Sequence, residues 1–362
     1  MTQPLPAAFE NRLQFLDVLR GIAALVVVLE HGFAVCIPHY LDFSIRYFDL
    51  GQFGVTLFLL VSGFIIPVTL ERGGSVRRFW VNRFFRLFPL YWTTIAFFWL
   101  YYHLCAPASL HPKESWQWLM NLTMCQEFMR VPHVTTVFWT LTLELIFYAL
   151  CSLLYPLGLF RRTWNLIWLG QAGLIALGIG FPLATGRRFP GGYAVLLLTM
   201  FVGTMFRQWT TGQISRRRLL WSLASLAPIS LAVSYVCFAL FQRTGYPLTF
   251  HCVWLVWASA YACFVGLLSC RARAMPSWLC YCGRISYSIY LIHTCLVLIL
   301  PHEWPRVLYL GTLLGGTLAL SALTYHYIEN PCIRLGRRLL GKPRLAGLPT
   351  VLPIPQAARK AA

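Results

Sequence analysis

The sequence predicts an all-α fold, a polytopic bundle of about ten membrane-spanning helices. Hydrophobic residues make up 58% of the 362 residues and charged residues only 11%, and the mean hydropathy is +0.63. Soluble domains carry about 25% charged residues, so this composition excludes a soluble protein. The apolar residues also gather into stretches long enough for transmembrane helices. These stretches lie near residues 16–36, 51–70, 89–106, 137–156, 164–181, 192–208, 219–240, 250–269, 285–301 and 307–328.

The basic residues predict the orientation of the bundle. If successive connections lie on alternate sides of the membrane, 23 of the 30 Lys and Arg residues fall on the side that holds both termini. Lys and Arg concentrate in cytoplasmic loops, so both termini are predicted to be cytoplasmic. The net charge of +19 then follows from topology and from contact with membrane lipid headgroups, and no nucleic-acid partner is expected.

A single membrane domain, residues 1–340, accounts for nearly all of the chain. Residues 341–362 contain Pro, Ala and Arg, and their composition predicts a disordered cytoplasmic tail. Gly311 and Gly315 have the spacing of a small-residue face on which helices pack, so the last span is predicted to pack through them.

Arg20 and His31 lie eleven positions apart in the first apolar stretch. On a helix the two side chains share a face and are separated by about 16 Å along the axis. Ionisable residues inside a membrane indicate a functional site. The structural alternative is that Arg20 reaches lipid phosphates and His31 makes one interhelical hydrogen bond. Asp17 is predicted to pair with Arg20, three residues further on.

Residues 71–91 carry five arginines just before the third span. Arg83 and Arg86 are three residues apart, so on a helix they share a face and could hold a phosphate between two guanidinium groups. The alternative is an ordinary positive anchor on the cytoplasmic side. Pro89 is predicted to lie in the first turn of the following span.

Three further ionisable side chains lie within apolar stretches, namely Glu30, Glu144 and His293. Counted from the outer ends of their spans, His31, Glu144 and His293 are predicted at similar heights in the outer half of the bilayer. The arginines are predicted at the cytoplasmic level. Glu30 adjoins His31 but points about 100° away from it, so it either pairs elsewhere or shares the cavity.

This vertical order favours acyl transfer from a long anionic donor. Cytoplasmic arginines suit a polyanion, and a histidine with a carboxylate suits general base catalysis on a hydroxyl. Coenzyme A combines a phosphate-bearing head with a long thin arm. No metal-ligand spacing appears in the sequence, so neither a metal nor a permanently bound cofactor is expected.

The chain resembles the acyltransferase 3 family of bacterial integral-membrane O-acyltransferases. Six segments carry the resemblance, and they occur in the order typical of the family. They are LDVLRGIAALVVVLEH (16–31), GVTLFLLVSGFII (54–66), FWVNRFFRLFPLYW (79–92), FWTLTLELIFYAL (138–150), GRISYSIYLIH (283–293) and YHYIENP (325–331).

The resemblance implies a multi-pass enzyme of the bacterial inner membrane that uses cytoplasmic acyl-CoA, usually acetyl-CoA, to acylate a glycan or glycolipid hydroxyl. Arg20 and His31 match the family's arginine–histidine element of the first helix. The family's paired arginines are matched by Arg83 and Arg86. Its fourth-helix tryptophan and acidic residue are matched by Trp139 and Glu144. Where a second acidic residue often follows, this chain has leucine at position 145, which leaves Glu144 without a substitute.

These residues give a specific hypothesis. Arg20, Arg83 and Arg86 bind the acyl-CoA, and His31 acts as the general base or accepts the acyl group covalently. Glu144 orients His31 as a second catalytic residue.

The remaining expectations concern the acceptor and the packing of single residues. Trp139, His293 and Glu30 contact the acceptor, although a packed core histidine explains His293 equally well. Glu329 is expected to pair with a cytoplasmic arginine.

The alternative class is a proton-coupled transporter or flippase for a polysaccharide precursor. Intramembrane histidine and glutamate side chains also build proton relays.

Overall fold

A computed structural model describes residues 7–105, 114–241 and 248–341, and the predicted tail beyond residue 341 lies outside this range. The described residues form helices and turns with no strand, which confirms the all-α prediction. The α-helices are α1 (Ala7–Cys36), α2 (Tyr40–Arg46), α3 (Leu50–Gly73), α4 (Val76–Leu104), α5 (Ser115–Asn121), α6 (Trp139–Leu154), α7 (Thr163–Gly173), α8 (Phe181–Thr185), α9 (Gly191–Thr210), α10 (Arg216–Tyr235), α11 (Phe250–Ser269), α12 (Ser277–Arg284), α13 (Ser286–Ile299), α14 (Arg306–Thr324) and α15 (Asn330–Leu339).

Several of these helices are continued by tighter or wider turns. Turns of 3₁₀-helix precede α6 and α7, and π-helical turns follow α7, α10 and α14. The 3₁₀ turns are Thr136–Phe138 and Leu159–Arg162, and the π turns are Leu174–Gly180, Val236–Leu240 and Tyr325–Glu329.

Within the described residues, seven helical stretches are long and apolar enough to cross a membrane. An eighth results if α12 and α13, which are bent by 73° relative to each other, form one broken span. The chain is therefore a multi-pass helical protein, while ten spans and cytoplasmic termini remain predictions. The seven stretches are Gln14–Cys36, Leu50–Glu71, Thr136–Leu154, Leu159–Thr185, Arg216–Leu240, Phe250–Ser269 and Arg306–Leu339.

Helix α4 differs from the predicted span, which began at Pro89. The helix is continuous from Val76 to Leu104, with Pro89 in its interior. A proline there removes one backbone hydrogen bond, and packing against α15 supports the same part of the helix. At this contact, a Cβ added to Gly336 of α15 would lie 2.8 Å from Cβ of Phe85.

Glycine allows two helices to cross with their backbones in contact. A Cβ on Gly63 of α3 would lie 1.8 Å from the carbonyl oxygen of Met200 in α9. The Thr204 hydroxyl donates to the Gly63 carbonyl oxygen at 2.9 Å and fixes the crossing. The predicted packing face of Gly311 and Gly315 is wrong, because a Cβ on either residue would meet no atom within 4 Å.

Helix α1 lies at the centre of the site and packs against α3, α12, α13 and α14. It approaches α12 so closely that a Cβ on Gly283 would lie 1.8 Å from the Asp17 carbonyl oxygen. The bend that follows at Ile285 starts α13 beside the turn of α1 that carries Arg20. This arrangement brings α1 and α13 to one cavity.

Candidate active site

A cavity of about 630 Å³, including space open to solvent, lies between α1, α3, α4, α6 and α13. Its charged wall residues are Arg20 from α1, Arg86 from α4 and Glu144 from α6. Two cations and one anion leave this wall with an excess of positive charge, which suits an anionic ligand. The other wall residues are Val55, Phe58, Leu59, Ser62, Leu87, Thr140, Leu141, Ser286, Tyr287 and Tyr290.

The two wall arginines differ in their protein partners. Arg20 Nη1 lies 3.9 Å from Asp17 Oδ1, which confirms the predicted pair at the long end of the ion-pair range. Arg86 makes neither a hydrogen bond nor an ion pair within 4 Å to any residue that the structure describes. Glu144 lies with it in the cavity wall. The Arg86 guanidinium therefore keeps its donors available for a ligand.

Arg83 lies one helical turn before Arg86 but is not part of the cavity wall. Its Nη2 donates to the Thr69 hydroxyl at 2.8 Å. The guanidinium carbon lies 5.2 Å from the ring centre of Phe79 and 5.3 Å from that of Tyr148. Arg83 thus already has partners on α3, α4 and α6, and its part in the Arg83–Arg86 clamp stays a prediction. The cavity pairs Arg86 with Arg20.

Glu144 faces the same cavity as two of the arginines. It shares the cavity wall with Arg20 and Arg86 and accepts a hydrogen bond of 2.5 Å from the Tyr148 hydroxyl. No hydrogen bond or ion pair joins Glu144 to His31 among the described residues, so their predicted pairing stays a prediction. Counting residues from span ends ignores the tilt and offset of packed helices, which decide the height at which side chains meet. Whether Glu144 takes part in catalysis remains a prediction.

His31 and His293 are brought together, as their predicted heights suggested. The two imidazole rings stack with centres 5.2 Å apart and planes at 30°. His293 is fully buried, and its Nδ1 lies 3.1 Å from the Ile289 carbonyl oxygen. A carbonyl oxygen only accepts, so Nδ1 carries the proton, while the buried Nε2 has no hydrogen-bond partner among the described residues. His293 thus has one ring nitrogen available for a further hydrogen bond.

Tyr290 connects the cavity to the histidine pair, and sequence reasoning missed it. Its ring is part of the cavity wall and makes an edge contact with His293, with centres 6.0 Å apart. The hydroxyl lies 2.7 Å from Thr140 Oγ1 and 3.1 Å from the Val137 carbonyl oxygen. His31 itself is not a wall residue. The sequence does contain a pattern that predicts this contact. In the segment SYSIYLIH, Tyr290 precedes His293 by three positions, so the two side chains share one helix face.

Glu30 holds α1, α2 and the start of α3 together at one end of the fold. Its carboxylate accepts hydrogen bonds from the Tyr40 hydroxyl (2.8 Å), the Ser44 hydroxyl (2.6 Å) and the backbone N–H of Leu50 (3.0 Å). Three protein donors occupy most of the acceptor positions of this buried carboxylate and tie α1 to α2 and to the start of α3. Contact between Glu30 and the acceptor stays a prediction.

Asp49 caps α3 beside this cluster, just outside the membrane-spanning stretch. Its Oδ1 accepts from the backbone N–H of Gln52 at 2.8 Å. Burial raises the pKa of the Asp49 carboxyl to about 6, and the negative charge of Glu30 adds to the rise. A raised native pKa means that the folded protein holds this proton more tightly than the unfolded chain, so stability falls as pH rises from about 4 to 6.

Replacing Asp49 with asparagine is expected to remove this loss of stability, because asparagine caps a helix without carrying charge. Asp49→Asn should raise the melting temperature relative to the wild type at pH 8 but not at pH 4, as measured by thermal unfolding in detergent. Asp42→Asn is the matched control, since Asp42 is solvent-exposed on the neighbouring helix α2. An equal gain at both pH values would show that the charge of Asp49 is not the cause.

Trp139 lies at the first position of α6 and packs edge-on against Tyr193, with ring centres 5.5 Å apart. It is not a cavity-wall residue, and from this helix Thr140, Leu141 and Glu144 line the cavity instead. Contact between Trp139 and the acceptor stays a prediction.

The fold thus defines a multi-pass helical membrane protein whose internal cavity has two arginines and a carboxylate in its wall. The family described as "Acyltransferase domain" matches residues 13–326, which is most of the chain. The chain therefore belongs to the acyltransferase 3 family and is an acyltransferase.

Three curated relatives align with most of the chain. The acyltransferase MdmB of Streptomyces mycarofaciens is 25% identical over 80% of this chain and 83% of the relative. Nodulation protein 10 of Rhizobium leguminosarum bv. viciae is 26% identical over 80% and 84%. The exopolysaccharide production protein ExoZ of Rhizobium meliloti (strain 1021) is 25% identical over 83% and 96%. No solved structure matches the chain significantly.

Proposed function

We propose that this acyltransferase moves an acyl group, most simply acetyl, from cytoplasmic acyl-CoA to a hydroxyl of a cell-surface or exported glycan or glycolipid. The observation that carries the proposal is the cavity in which Arg20 and Arg86 face the same space. We further propose the bacterial inner membrane as its location, because acyl-CoA is cytoplasmic and the acceptor is exported.

The donor-binding part of the proposal rests on the chemistry of the wall. Coenzyme A carries a diphosphate and a ribose phosphate, and guanidinium groups bind phosphate oxygens in pairs with good geometry. Among residues 7–105, 114–241 and 248–341, Arg86 makes no hydrogen bond or ion pair and Arg20 makes only a long contact to Asp17. Both side chains can therefore turn to a phosphate without breaking strong protein contacts. Arg83 contributes positive charge from behind the wall.

The chemical step is assigned to His31. In the direct route its imidazole takes the proton of the acceptor hydroxyl, the oxygen bonds to the thioester carbon, and the C–S bond breaks. The CoA thiolate leaves and is protonated. In the alternative route the imidazole nitrogen itself attacks the thioester and carries the acyl group to the acceptor. Both routes require the thioester to pass Tyr290, which lies between the cavity and His293.

Support for a glycan acceptor comes from the relatives. ExoZ is named for exopolysaccharide production, and MdmB is named an acyltransferase. Transfer of this acceptor class to the present chain is part of the proposal. The acyltransferase family gives no support to the alternative of a proton-coupled transporter.

The experiment is transfer of label from [¹⁴C]acetyl-CoA to glycan in membranes that contain the protein, with mass spectrometry of surface glycans from cells with and without the gene. We expect label in a base-labile ester and the loss of an acetyl increment when the gene is deleted. Proton-driven uptake of a glycan precursor without any consumption of acyl-CoA would contradict the proposal and select the transporter.

A further inference from the structure

Two aromatic rings form one part of the cavity wall. Phe58 of α3 and Tyr290 of α13 are both wall residues, and their rings pack edge-on with centres 5.7 Å apart and planes at 81°. Aromatic side chains are large and have few rotatable bonds, so a packed pair of them keeps its shape better than aliphatic side chains do. The pair is therefore a firm apolar boundary of the cavity.

The Tyr290 ring is fixed by its hydroxyl. This hydroxyl lies 2.7 Å from Thr140 Oγ1 and 3.1 Å from the Val137 carbonyl oxygen, and the residue is buried. Turning the ring out of the wall would leave a buried hydroxyl without these partners, which costs free energy. Phe58 has no polar group and is half-buried. It is therefore the member of the pair that a substitution changes without breaking a hydrogen bond.

The two rings lie between the cavity and the histidine pair. Tyr290 makes an edge contact with His293, which stacks on His31. Phe58 packs against the main hydrophobic core and also against the smaller buried cluster that α1, α13 and α14 form. His31 is not itself a wall residue. An acyl group that starts in the cavity therefore meets these two rings before it reaches the imidazole of His31.

We propose that Phe58 and Tyr290 are a size filter that limits the length of the acyl group transferred. The inference rests on the proposed function, because it takes the acyl chain of acyl-CoA as the group that passes the rings. A short acyl group needs little space beside them, whereas each further methylene has to displace packed atoms. One methylene changes selection by a hydrophobic pocket by about 10- to 200-fold. Two rigid rings therefore suffice to exclude a longer chain without any polar contact to it.

The test is a competition between two donors in membranes that contain the full-length protein. [¹⁴C]acetyl-CoA and [³H]hexanoyl-CoA are supplied together at equal concentration, and both labels are counted in base-labile esters of the membrane glycan. The initial ratio of the labels equals the ratio of the two kcat/KM values, so it does not depend on the amount of folded protein. Membranes without the gene give the background. We expect the wild type to favour acetyl by about 10²-fold or more.

Three variants separate the filter from general loosening of the bundle. Phe58→Ala removes one ring and should lower the preference for acetyl by about 10- to 100-fold. Tyr290→Leu removes the other ring and should shift the ratio in the same direction. Phe53→Ala is the matched control, because Phe53 is also half-buried on α3 but lies outside the cavity wall, with its ring centre 5.8 Å from that of Phe48. It should keep the wild-type ratio.

An unchanged ratio in Phe58→Ala, or an equal shift in Phe53→Ala, would overturn the inference and leave the proposed function standing. A wild-type protein that prefers hexanoyl would do the same. A wild-type protein that transfers neither acyl group would overturn the proposed function as well. Should Phe58→Ala not accumulate, Phe58→Leu replaces the ring by a smaller side chain and is expected to lower the acetyl preference to a smaller extent. No shift in that variant would equally contradict the filter.

Discussion

His31→Ala is expected to reduce acyl transfer by about 10²- to 10⁴-fold, the usual contribution of a general base. His31 is the imidazole that lies partly accessible on α1, and its stacking partner His293 is fully buried. Loss of His31 removes the proton acceptor and, in the covalent route, the acyl carrier. The measurement is the initial rate of label transfer from [¹⁴C]acetyl-CoA, normalised to the amount of folded protein in the membrane.

His302→Ala is the matched control, because His302 is exposed in the connection between α13 and α14 and lies outside the cavity wall. It should retain the wild-type rate. Full activity of His31→Ala would remove this residue from the mechanism. Acid-labile label on the wild-type protein in the absence of acceptor, lost in His31→Ala, would select the acyl-histidine route over direct transfer.

Arg86→Ala is expected to raise the KM for acetyl-CoA by about 10- to 100-fold, since a hydrogen bond between charged partners contributes about 1.5–3 kcal/mol. kcat at saturating donor should change much less, because Arg86 binds the phosphates and does not touch the reacting carbon. Steady-state kinetics over a range of acetyl-CoA concentrations separates the two parameters.

Two other arginines of α4 provide the comparison. Arg83→Ala should raise KM less than Arg86→Ala, because the guanidinium of Arg83 donates to Thr69 and lies outside the cavity wall. Arg77→Ala, at an exposed position near the start of α4, should leave KM unchanged. If Arg86→Ala lowers only the amount of protein in the membrane and leaves KM as it was, Arg86 is a topological anchor and not a donor-binding residue.

Contacts within one helix were the most predictable part of the site. The Asp17–Arg20 pair follows from a spacing of three residues, and the structure contains it. Spacing within one helix leaves few alternative neighbours for such a pair. The meeting of His31 on α1 with His293 on α13 is a contact between helices, and it also agreed with the predicted depths.

Several other partners across helices were not predicted, for a common reason. Glu144 lies in the cavity wall with Arg20 and Arg86, and Glu30 binds α2 and the start of α3. A sequence gives the face of a helix on which a side chain lies, but not the tilt of that helix or the identity of the neighbour. Arg83 and Arg86 have different partners for the same reason. Only Arg83 lies within hydrogen-bonding distance of the Thr69 hydroxyl on α3.

The sequence by itself determined that this protein is a helical membrane protein of the acyltransferase 3 family, because long apolar stretches and ordered motifs are properties of the chain alone. Only the tertiary structure decided which ionisable groups share the cavity. That outcome depends on the bend between α12 and α13, the close approach at Gly283 and the crossing of α3 with α9 at Gly63. Each is a contact between segments distant in sequence, and the physical reason is that packing energy between helices, not local spacing, fixes their tilt and depth.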